Sequence, residues 1–283
     1  MYELTEDWLV KINDEFRKNN IPHRQRPFLA WSAWTKHVGV STEFRDKNVR
    51  NIFAWFEKNS PVGAHHIGSF YSGLFYFDAH FWPVHIPLVY GTVKLHAFNS
   101  IDTMPDNIKS RLQTDRQASQ DFAAVWGDCL DYSFGLEGLI RADKNTFWQD
   151  LLRSGHQQLQ STVSLLEGNR PNPKAAEPAR MATEMFLKAF IVYKTGMTDT
   201  DARKQLGHDL SKALDKCLEI EPQSELIAIR SELSLFPEIA ERYTETDKTL
   251  WELWRMYGMA QYTATTIVRA LSGHDLRKQG FTT

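Results

Sequence analysis

The sequence has few of the features on which common enzyme classes depend. Its 283 residues include only two cysteines, Cys129 and Cys217, which are too few for a disulfide framework and suit a reducing compartment. It contains no Cys-x-x-Cys pair, no glycine-rich phosphate loop, no Walker pattern and no Gly-x-Ser-x-Gly turn. These absences disfavour the common nucleotide-binding and hydrolase classes.

An excess of positive charge and a long apolar run are also missing. Lys and Arg number 33 against 35 Asp and Glu, so the net charge is −2 and no general basic field attracts nucleic acid or an anionic membrane. The longest apolar run, near 82–90, is interrupted by Pro83, His85 and Pro87, and the acidic N-terminus does not fit a signal peptide. We therefore expect a cytoplasmic protein without a membrane segment.

Aromatic residues, in contrast, are abundant, with nine Trp, nine Tyr and 17 Phe. Many of them lie between residues 67 and 98, where Gly and Pro separate aromatic and β-branched residues, as is typical of short strands. The alternation over 92–98 predicts a half-buried strand. Pro83 and Pro87 cannot donate to a ladder, so their segment is expected to be an edge strand or an extended loop.

Helical periodicity dominates the rest of the chain. In the first half it predicts helices at 5–18, 46–58, near 105, at 117–132 and at 145–166. The segment 20–40 contains Pro22, Pro27 and Gly39 and is expected to be irregular. In the second half the predicted helices are 175–195, 207–219, 223–235 and 246–271, with a frayed tail from Ser272.

The stretch from Gly168 to Pro173 combines a helix-stopping glycine with two prolines and therefore predicts a domain boundary. We expect an α+β, mostly α, protein. Its N-terminal domain, 1–168, should contain a small antiparallel, aromatic-rich sheet with helices. Its C-terminal domain, 174–283, should be a four-helix bundle, because four helical segments there are joined by short turns.

Arg203 and His208 stand at Arg-x4-His spacing around the predicted start of the second helix of this bundle. A histidine can exchange a proton near neutral pH, and an arginine can hold a phosphate and its developing charge. With the 2′-hydroxyl of RNA as nucleophile, these two groups are enough for cleavage without a metal. Asp209 favours the helix start through the helix dipole. The structural alternative is a histidine that caps or bridges helices and a solvated arginine.

The C-terminal half, 174–283, resembles the HEPN superfamily. The features are the predicted bundle, a first helix that reads Ala-Thr-Glu-Met-Phe-Leu-Lys-Ala-Phe, and the Leu-Gly-His-Asp-Leu that opens the second. Ribonucleases of that superfamily carry an Arg-x4-6-His motif and dimerise, so that two motifs meet in one cleft. The resemblance implies that Arg203 and His208 are a catalytic pair, with Glu184 and Lys188 on the first helix as their supporting neighbours.

The position of the motif favours a different branch of that superfamily. Nuclease members usually carry it within a later helix of the bundle, whereas here it straddles the first turn and the start of the second helix. The Lys-x-Leu-Gly-His-Asp-Leu opening resembles the branch that accompanies nucleotidyltransferases and often lacks nuclease activity. We therefore predict a non-catalytic accessory protein that binds a partner protein, a nucleotide or RNA. The alternative is a metal-independent ribonuclease, a toxin or an antiviral effector. Neither needs a cofactor.

The tetrapeptide Gly-His-Asp-Leu at 207–210 recurs at 273–276, and its surroundings indicate a coincidence.

A third hypothesis is a metal-dependent enzyme, because histidines concentrate in the first half. These are His65, His66, His80, His85 and His96. Asp78 and His80 are two residues apart and would face the same side of a strand, and His85 can return beside them after a turn. Three such ligands can hold Zn²⁺ or Fe²⁺, although no recognised metal-binding spacing is present.

The last helix also predicts a homodimer that forms through the C-terminal bundle. It carries more apolar faces than one small core needs. The residues concerned are Trp251, Trp254, Met256, Tyr257, Met259 and Tyr262.

Overall fold

The fold is seen in a computed structural model that describes residues 4–39, 43, 46–60, 70–88, 94–141, 146–238 and 247–279. The chain forms two compact units, 1–69 and 70–283. It is mostly helical and contains a two-stranded antiparallel sheet. The predicted fold class, α+β and mostly α, is therefore confirmed.

The described residues of the smaller unit contain three α-helices, α1 (Glu6–Lys18), α2 (Arg26–Val38) and α3 (Lys47–Lys58). Sequence analysis missed α2, because Pro27 and Gly39 were interpreted as signs of irregular structure. Pro27 instead lies in the first turn of α2, where a backbone N–H has no acceptor within the helix, so the proline costs no hydrogen bond. Gly39 ends the helix. The buried core of this unit consists of Leu9, Ala30, Trp34, Ile52 and Phe56.

The larger unit begins with a hairpin and continues as helices. Its elements are β1 (Tyr71–Phe77), β2 (His80–Ile86), α4 (Asp106–Thr114), α5 (Arg116–Ile140), α6 (Phe147–Leu166), α7 (Ala176–Thr195), α8 (Asp199–Leu206), α9 (Leu210–Ile220) and α10 (Leu250–Ser272). Two 3-10 helices, Glu225–Leu235 and Leu276–Gln279, flank α10 in sequence. The first of these was predicted as an α-helix, and the short α8 was not predicted.

A four-helix bundle is present, but its members differ from the predicted ones. α6 and α10 pack along α7, and α5 packs along α10, while α9 and the first 3-10 helix lie against α7 and α10. One continuous apolar core includes residues from β1 to α10. The predicted division at 168–174 therefore falls inside this core, and the two compact units separate near residue 69 instead.

The stretch from Gly168 to Pro173 is a turn between two packed helices. The backbone N–H of Asn172 donates to the carbonyl of Leu165 at 2.7 Å, which folds the chain back so that α7 runs along α6. Glycine and proline stop a helix for local reasons. They carry no information on whether the next helix packs on the previous one or belongs to another domain.

The hairpin explains how a strand accommodates Pro83. Leu74 lies opposite Pro83 in the register, and the N–H of Leu74 donates to Tyr257 Oη at 2.8 Å instead of to β2. Leu74 and Pro83 therefore do not form a hydrogen-bonded pair of the sheet, and the N–H that Pro83 lacks is not needed between the two strands. The predicted strand at 92–98 is wrong for its described part, because Ala97 begins a 3-10 helix there, and Thr92 and Val93 lie outside the described residues.

The hairpin backbone approaches α5 and α10 very closely at Gly73. A Cβ atom placed on Gly73 would lie 2.5 Å from Cys129 Sγ and 3.0 Å from Tyr257 Oη. Tyr257 Oη also donates to Gln261 Oε1 at 3.2 Å, and Tyr71 Oη donates to the same oxygen. Burial raises the pKa of both tyrosines well above the usual value, so both stay neutral hydrogen-bonding groups.

Much of the apolar surface of α10 that predicted a dimer is used inside the chain. Met256, Tyr257 and Met259 are buried, and Trp254 contacts Phe75 edge to face at 6.0 Å. Trp251 is the exception, with 56% of its surface exposed. The homodimer stays a prediction, with less exposed apolar surface to support it than the sequence indicates.

The contact at Gly73 leads to a test of stability. Gly73→Ala should lower the free energy of unfolding by about 1–3 kcal/mol, because the added methyl group overlaps Cys129 Sγ. Gly258→Ala in α10, where an added Cβ meets nothing within 4 Å, should instead raise it by up to about 1 kcal/mol through helix propensity. Urea unfolding of both variants measures the difference, and equal effects would contradict the packing at Gly73.

Candidate functional site

The predicted supporting residues lie beside His208. Glu184 and Lys188 are one turn apart on α7, and His208 lies in the turn between α8 and α9. His208 Nδ1 is 2.9 Å from Glu184 Oε1, and Lys188 Nζ donates to the same oxygen at 2.7 Å. The Glu184 side chain is 2% exposed and that of His208 is 67% exposed. A buried carboxylate therefore holds a surface imidazole.

Arg180 extends this group. Its Nη1 is 3.3 Å from Glu184 Oε2, and its Nη2 donates to the carbonyl of His208 at 2.7 Å. Lys188 Nζ likewise donates to the carbonyl of Gly207. We name Arg180, Glu184, Lys188 and His208 the Glu184 cluster. Its two permanent cations neutralise the buried carboxylate and also bind the backbone of the α8–α9 turn, so the turn is fixed to α7.

Arg203 does not join the Glu184 cluster. Its guanidinium forms two contacts with Asp199 one turn earlier on α8, at 2.8 and 2.9 Å, and its side chain is 78% exposed. No contact between the described residues joins Arg203 to His208. Asp209 caps α9, since its Oδ1 accepts from the N–H of Lys212 at 3.1 Å. The structure therefore brings together Glu184, Lys188 and His208, and places Arg203 and Asp209 in local helical contacts.

A second Arg-x4-His pair, which sequence analysis missed, lies at the end of α10. Residues 203–210 read Arg-Lys-Gln-Leu-Gly-His-Asp-Leu, and residues 269–276 read Arg-Ala-Leu-Ser-Gly-His-Asp-Leu. The prediction that the recurrence of Gly-His-Asp-Leu is a coincidence rests on the residues before it, which differ between 204–206 and 270–272. The signal was the arginine, which precedes the histidine by the same spacing in both segments.

The two segments share a positive-φ glycine and a contact from the histidine to a buried carboxylate, although ψ differs, at −128° for Gly207 and 3° for Gly273. Gly207 and Gly273 leave their helices with positive φ values of 54° and 73°, a region that favours glycine. The histidine then places Nδ1 on a buried carboxylate of an earlier helix. His208 contacts Glu184, and His274 contacts Asp131 of α5 at 3.2 Å. In each segment the aspartate after the histidine accepts a hydrogen bond from a backbone N–H in the helical turn that follows.

Only in the second segment does one carboxylate hold both the arginine and the histidine. Arg269 Nε donates to Asp131 Oδ2 at 2.7 Å, while His274 lies at Asp131 Oδ1. Arg269 Nη2 also donates to Asp128 Oδ1 at 2.7 Å. Burial raises the pKa of Asp128, although Arg269 opposes that shift. Because the Arg269 side chain is only 5% exposed, a phosphate group in solvent cannot reach it without rearrangement.

The predicted metal ligands are not brought together. Asp78 lies in the hairpin turn with a φ of 55°, not on a strand, and pairs with Arg111 at 2.7 Å. The ring of His80 lies 4.3 Å from the ring of Trp82. Among the described residues no group of three or more metal-binding side chains occurs, and His65 and His66 lie outside them. The metal hypothesis therefore has no support in the described structure.

His85 instead lies between a serine and an aspartate. Its Nδ1 is 3.1 Å from Ser72 Oγ on the neighbouring strand, and its Nε2 is 3.6 Å from Asp102 Oδ1. The second distance is too long for a hydrogen bond. Since Ser72 and His85 are direct cross-strand partners, the sheet register accounts for their contact.

Neither cysteine is a reactive thiol. Cys129 and Cys217 are both buried. Burial raises the pKa of Cys217 to about 12 and that of Cys129 further, so the thiolate form is scarce at neutral pH.

Comparison with protein-family models, with curated proteins and with solved structures found no match to the chain. The resemblance to the HEPN superfamily therefore stays a prediction. Among the described helices, none combines the length and the apolar character that crossing a membrane requires.

The Glu184 cluster predicts a large difference between two carboxylate substitutions. Glu184→Gln leaves Lys188 and Arg180 in a buried setting without a counter-charge and should lower the free energy of unfolding by about 3 kcal/mol or more. Asp199→Asn breaks the exposed pair with Arg203 and should cost about 1 kcal/mol or less. Chemical unfolding monitored by circular dichroism compares the two, and similar losses would refute the central role of Glu184.

Proposed function

We propose that the protein is a non-catalytic accessory protein that binds a partner through the surface around the α8–α9 turn. The partner is a protein, a nucleotide or RNA. The observation that carries this proposal is that Arg203 and His208 are held by different carboxylates, Asp199 and Glu184, in contacts that serve local structure. On this proposal, Arg203 and His208 stabilise the local structure and form part of the binding surface, and they do not react together.

The Glu184 cluster supports binding through rigidity. It fixes the carbonyls of Gly207 and His208, so the turn presents its side chains from a defined backbone. A surface that is ordered before binding loses less conformational entropy when a partner binds. The exposed cations at this turn, Arg203 and Lys212, are paired with acidic neighbours and remain accessible to an anionic group.

A cytoplasmic location and a homodimer belong to the same proposal. The location is supported by the scarcity of cysteine and the absence of a membrane-crossing helix among the described residues. The dimer is supported by Trp251, whose large apolar surface stays exposed on α10.

A metal-independent ribonuclease is the second candidate, and one observation favours it. His208 and His274 both place Nδ1 on a buried carboxylate and keep part of the ring exposed. A carboxylate on Nδ1 orients an imidazole and leaves Nε2 for proton transfer, which is how a histidine acts as a general acid or base. Arg203, whose pair with Asp199 is exposed and easily broken, would then bind the phosphate.

An RNA cleavage assay separates the two functions. Purified wild-type protein, His208→Ala and His274→Ala are incubated with structured and single-stranded RNA in the presence of EDTA. We expect no cleavage by any of them, because neither segment combines an accessible arginine with a neighbouring histidine. Products with 2′,3′-cyclic phosphate ends that are lost in His208→Ala would establish the ribonuclease. Loss in His274→Ala alone would place the reaction at the second segment.

Binding is measured on the same proteins by fluorescence anisotropy with labelled single-stranded RNA and labelled ATP. Saturable binding that weakens severalfold in Arg203→Ala would identify a nucleic acid or nucleotide partner at the α8–α9 turn. No binding of either probe by a folded protein that does not cleave RNA would leave a protein as the partner.

A further inference from the structure

The residues that follow α10 are held against the helical core, although the sequence predicts a frayed tail. The chain leaves α10 at Gly273, and Leu276–Gln279 forms a 3-10 helix. The backbone N–H of Leu276 donates to Asp131 Oδ1 at 2.9 Å, and Asp131 is fully buried in α5. We name residues 273–279 the strap.

The inner anchor of the strap is the carboxylate of Asp131. It accepts from Arg269 of α10 and from Leu276 of the strap, and it contacts His274 Nδ1. Removing the strap would take two of these three partners from a fully buried carboxylate. A buried charge requires such partners to offset its desolvation, so the strap and the charge on Asp131 stabilise each other.

The outer anchor is the surface ion pair between Arg277 and Glu225 of the first 3-10 helix, at 2.9 Å. Arg277 also contacts Asp275 at 3.1 Å, and Lys278 Nζ lies 3.4 Å from Asp275, but these two pairs lie within the strap. The side chain of Asp275 is only 6% exposed and lies 3.8 Å from Arg269 Nε. The side chains of Arg277 and Glu225 are nearly half exposed, so dissolved salt screens this anchor more strongly than the buried one.

Few side chains of the strap make apolar contacts. Leu276 is its one large apolar residue, and it is partly buried and packs against the apolar core. The ring of His274 lies over Phe134 of α5 at 6.4 Å. The equivalent leucine of the first segment, Leu210, instead begins α9, which buries Ala213, Leu214 and Cys217 in the core. The same tetrapeptide is therefore followed by a packed helix in one place and by a segment held by charge in the other.

We propose that the strap is a conformational device that opens as a unit while α5 and α10 stay folded, and that its opening uncovers an acidic surface of α5. The hinge is Gly273, whose positive φ places the chain at a point where the helix has already ended. Opening exposes Asp131 together with Phe134, against whose ring the ring of His274 lies.

Loss of the charged partners, and dissolved salt at the Arg277–Glu225 pair, are the conditions expected to open the strap. The charged and titratable groups around it are Asp128, Asp131, Glu225, Arg269, His274, Asp275, Arg277 and Lys278. The hydrogen bond from Arg277 lowers the pKa of Asp275 to about 2. Because this pKa is lowered on folding, the contribution of Asp275 is present above the ordinary carboxyl pKa and disappears only as the pH falls towards 2.

The test is hydrogen–deuterium exchange of the full chain, measured by mass spectrometry at fixed neutral pH. Peptides that cover the strap are compared with peptides from α7. Asp131→Asn should speed exchange in the strap by about tenfold or more, since the charge-assisted hydrogen bond that the Leu276 N–H donates to Asp131 is weakened. Arg277→Ala should speed it severalfold, and so should about 1 M NaCl, where the screening length is about 3 Å. Exchange in α7 should not change under any of these conditions.

Two controls keep the outcome decisive. Arg203→Ala removes the exposed ion pair with Asp199 in the first segment and should leave exchange in the strap unchanged. If Asp131→Asn fails to fold, Arg277→Ala decides, because its side chain lies at the surface. The proposal is overturned if the strap exchanges as fast as an unprotected peptide in the wild-type protein. It is equally overturned if neither variant changes that rate, or if strap and α7 always change together.

Discussion

Two buried carboxylates, Glu184 on α7 and Asp131 on α5, determine the local structure at both Arg-x4-His segments. A carboxylate loses several kcal/mol of hydration on burial, which only closely placed cations and N–H groups can offset. Each of these carboxylates is met by a permanent cation and by a histidine that follows a positive-φ glycine. The position of the acid in the core therefore determines where the chain must turn, and the turn determines which side chains reach the surface.

This dependence explains why a motif read from sequence can have the right residues and the wrong partners. Spacing predicts that Arg203 and His208 can point into one concavity. Glu184 draws the histidine to α7, whereas Asp199, one turn before Arg203 on the same helix, provides the arginine with an immediate partner. Contacts at i,i+4 spacing form with little loss of entropy. A local carboxylate therefore competes well against a distant site for the same guanidinium.

The sequence was most informative where one local rule decides the structure. Most helices of the larger unit follow from apolar periodicity, and the proximity of Glu184 and Lys188 to His208 was expected from the resemblance. The membership of the bundle could not be predicted, because it depends on whether α7 packs on α6 across Gly168–Pro173. That choice is made by the complementarity of whole helix faces, to which the turn residues contribute almost nothing.

The contrast between the two arginines bears most directly on function. Arg203 is accessible but lacks a described contact with its histidine, whereas Arg269 shares a carboxylate with its histidine but is buried among three aspartates. Phosphate chemistry needs both conditions at once, a guanidinium near the imidazole and free access for the substrate. In the described part of a single chain, each segment meets one condition and fails the other.

A second chain could supply the missing partner only at the first segment, because Arg203 and His208 are both exposed there. The ribonuclease alternative therefore requires a dimer that brings Arg203 of one chain beside His208 of the other, whereas the proposed binding protein is compatible with a dimer that forms elsewhere on the chain.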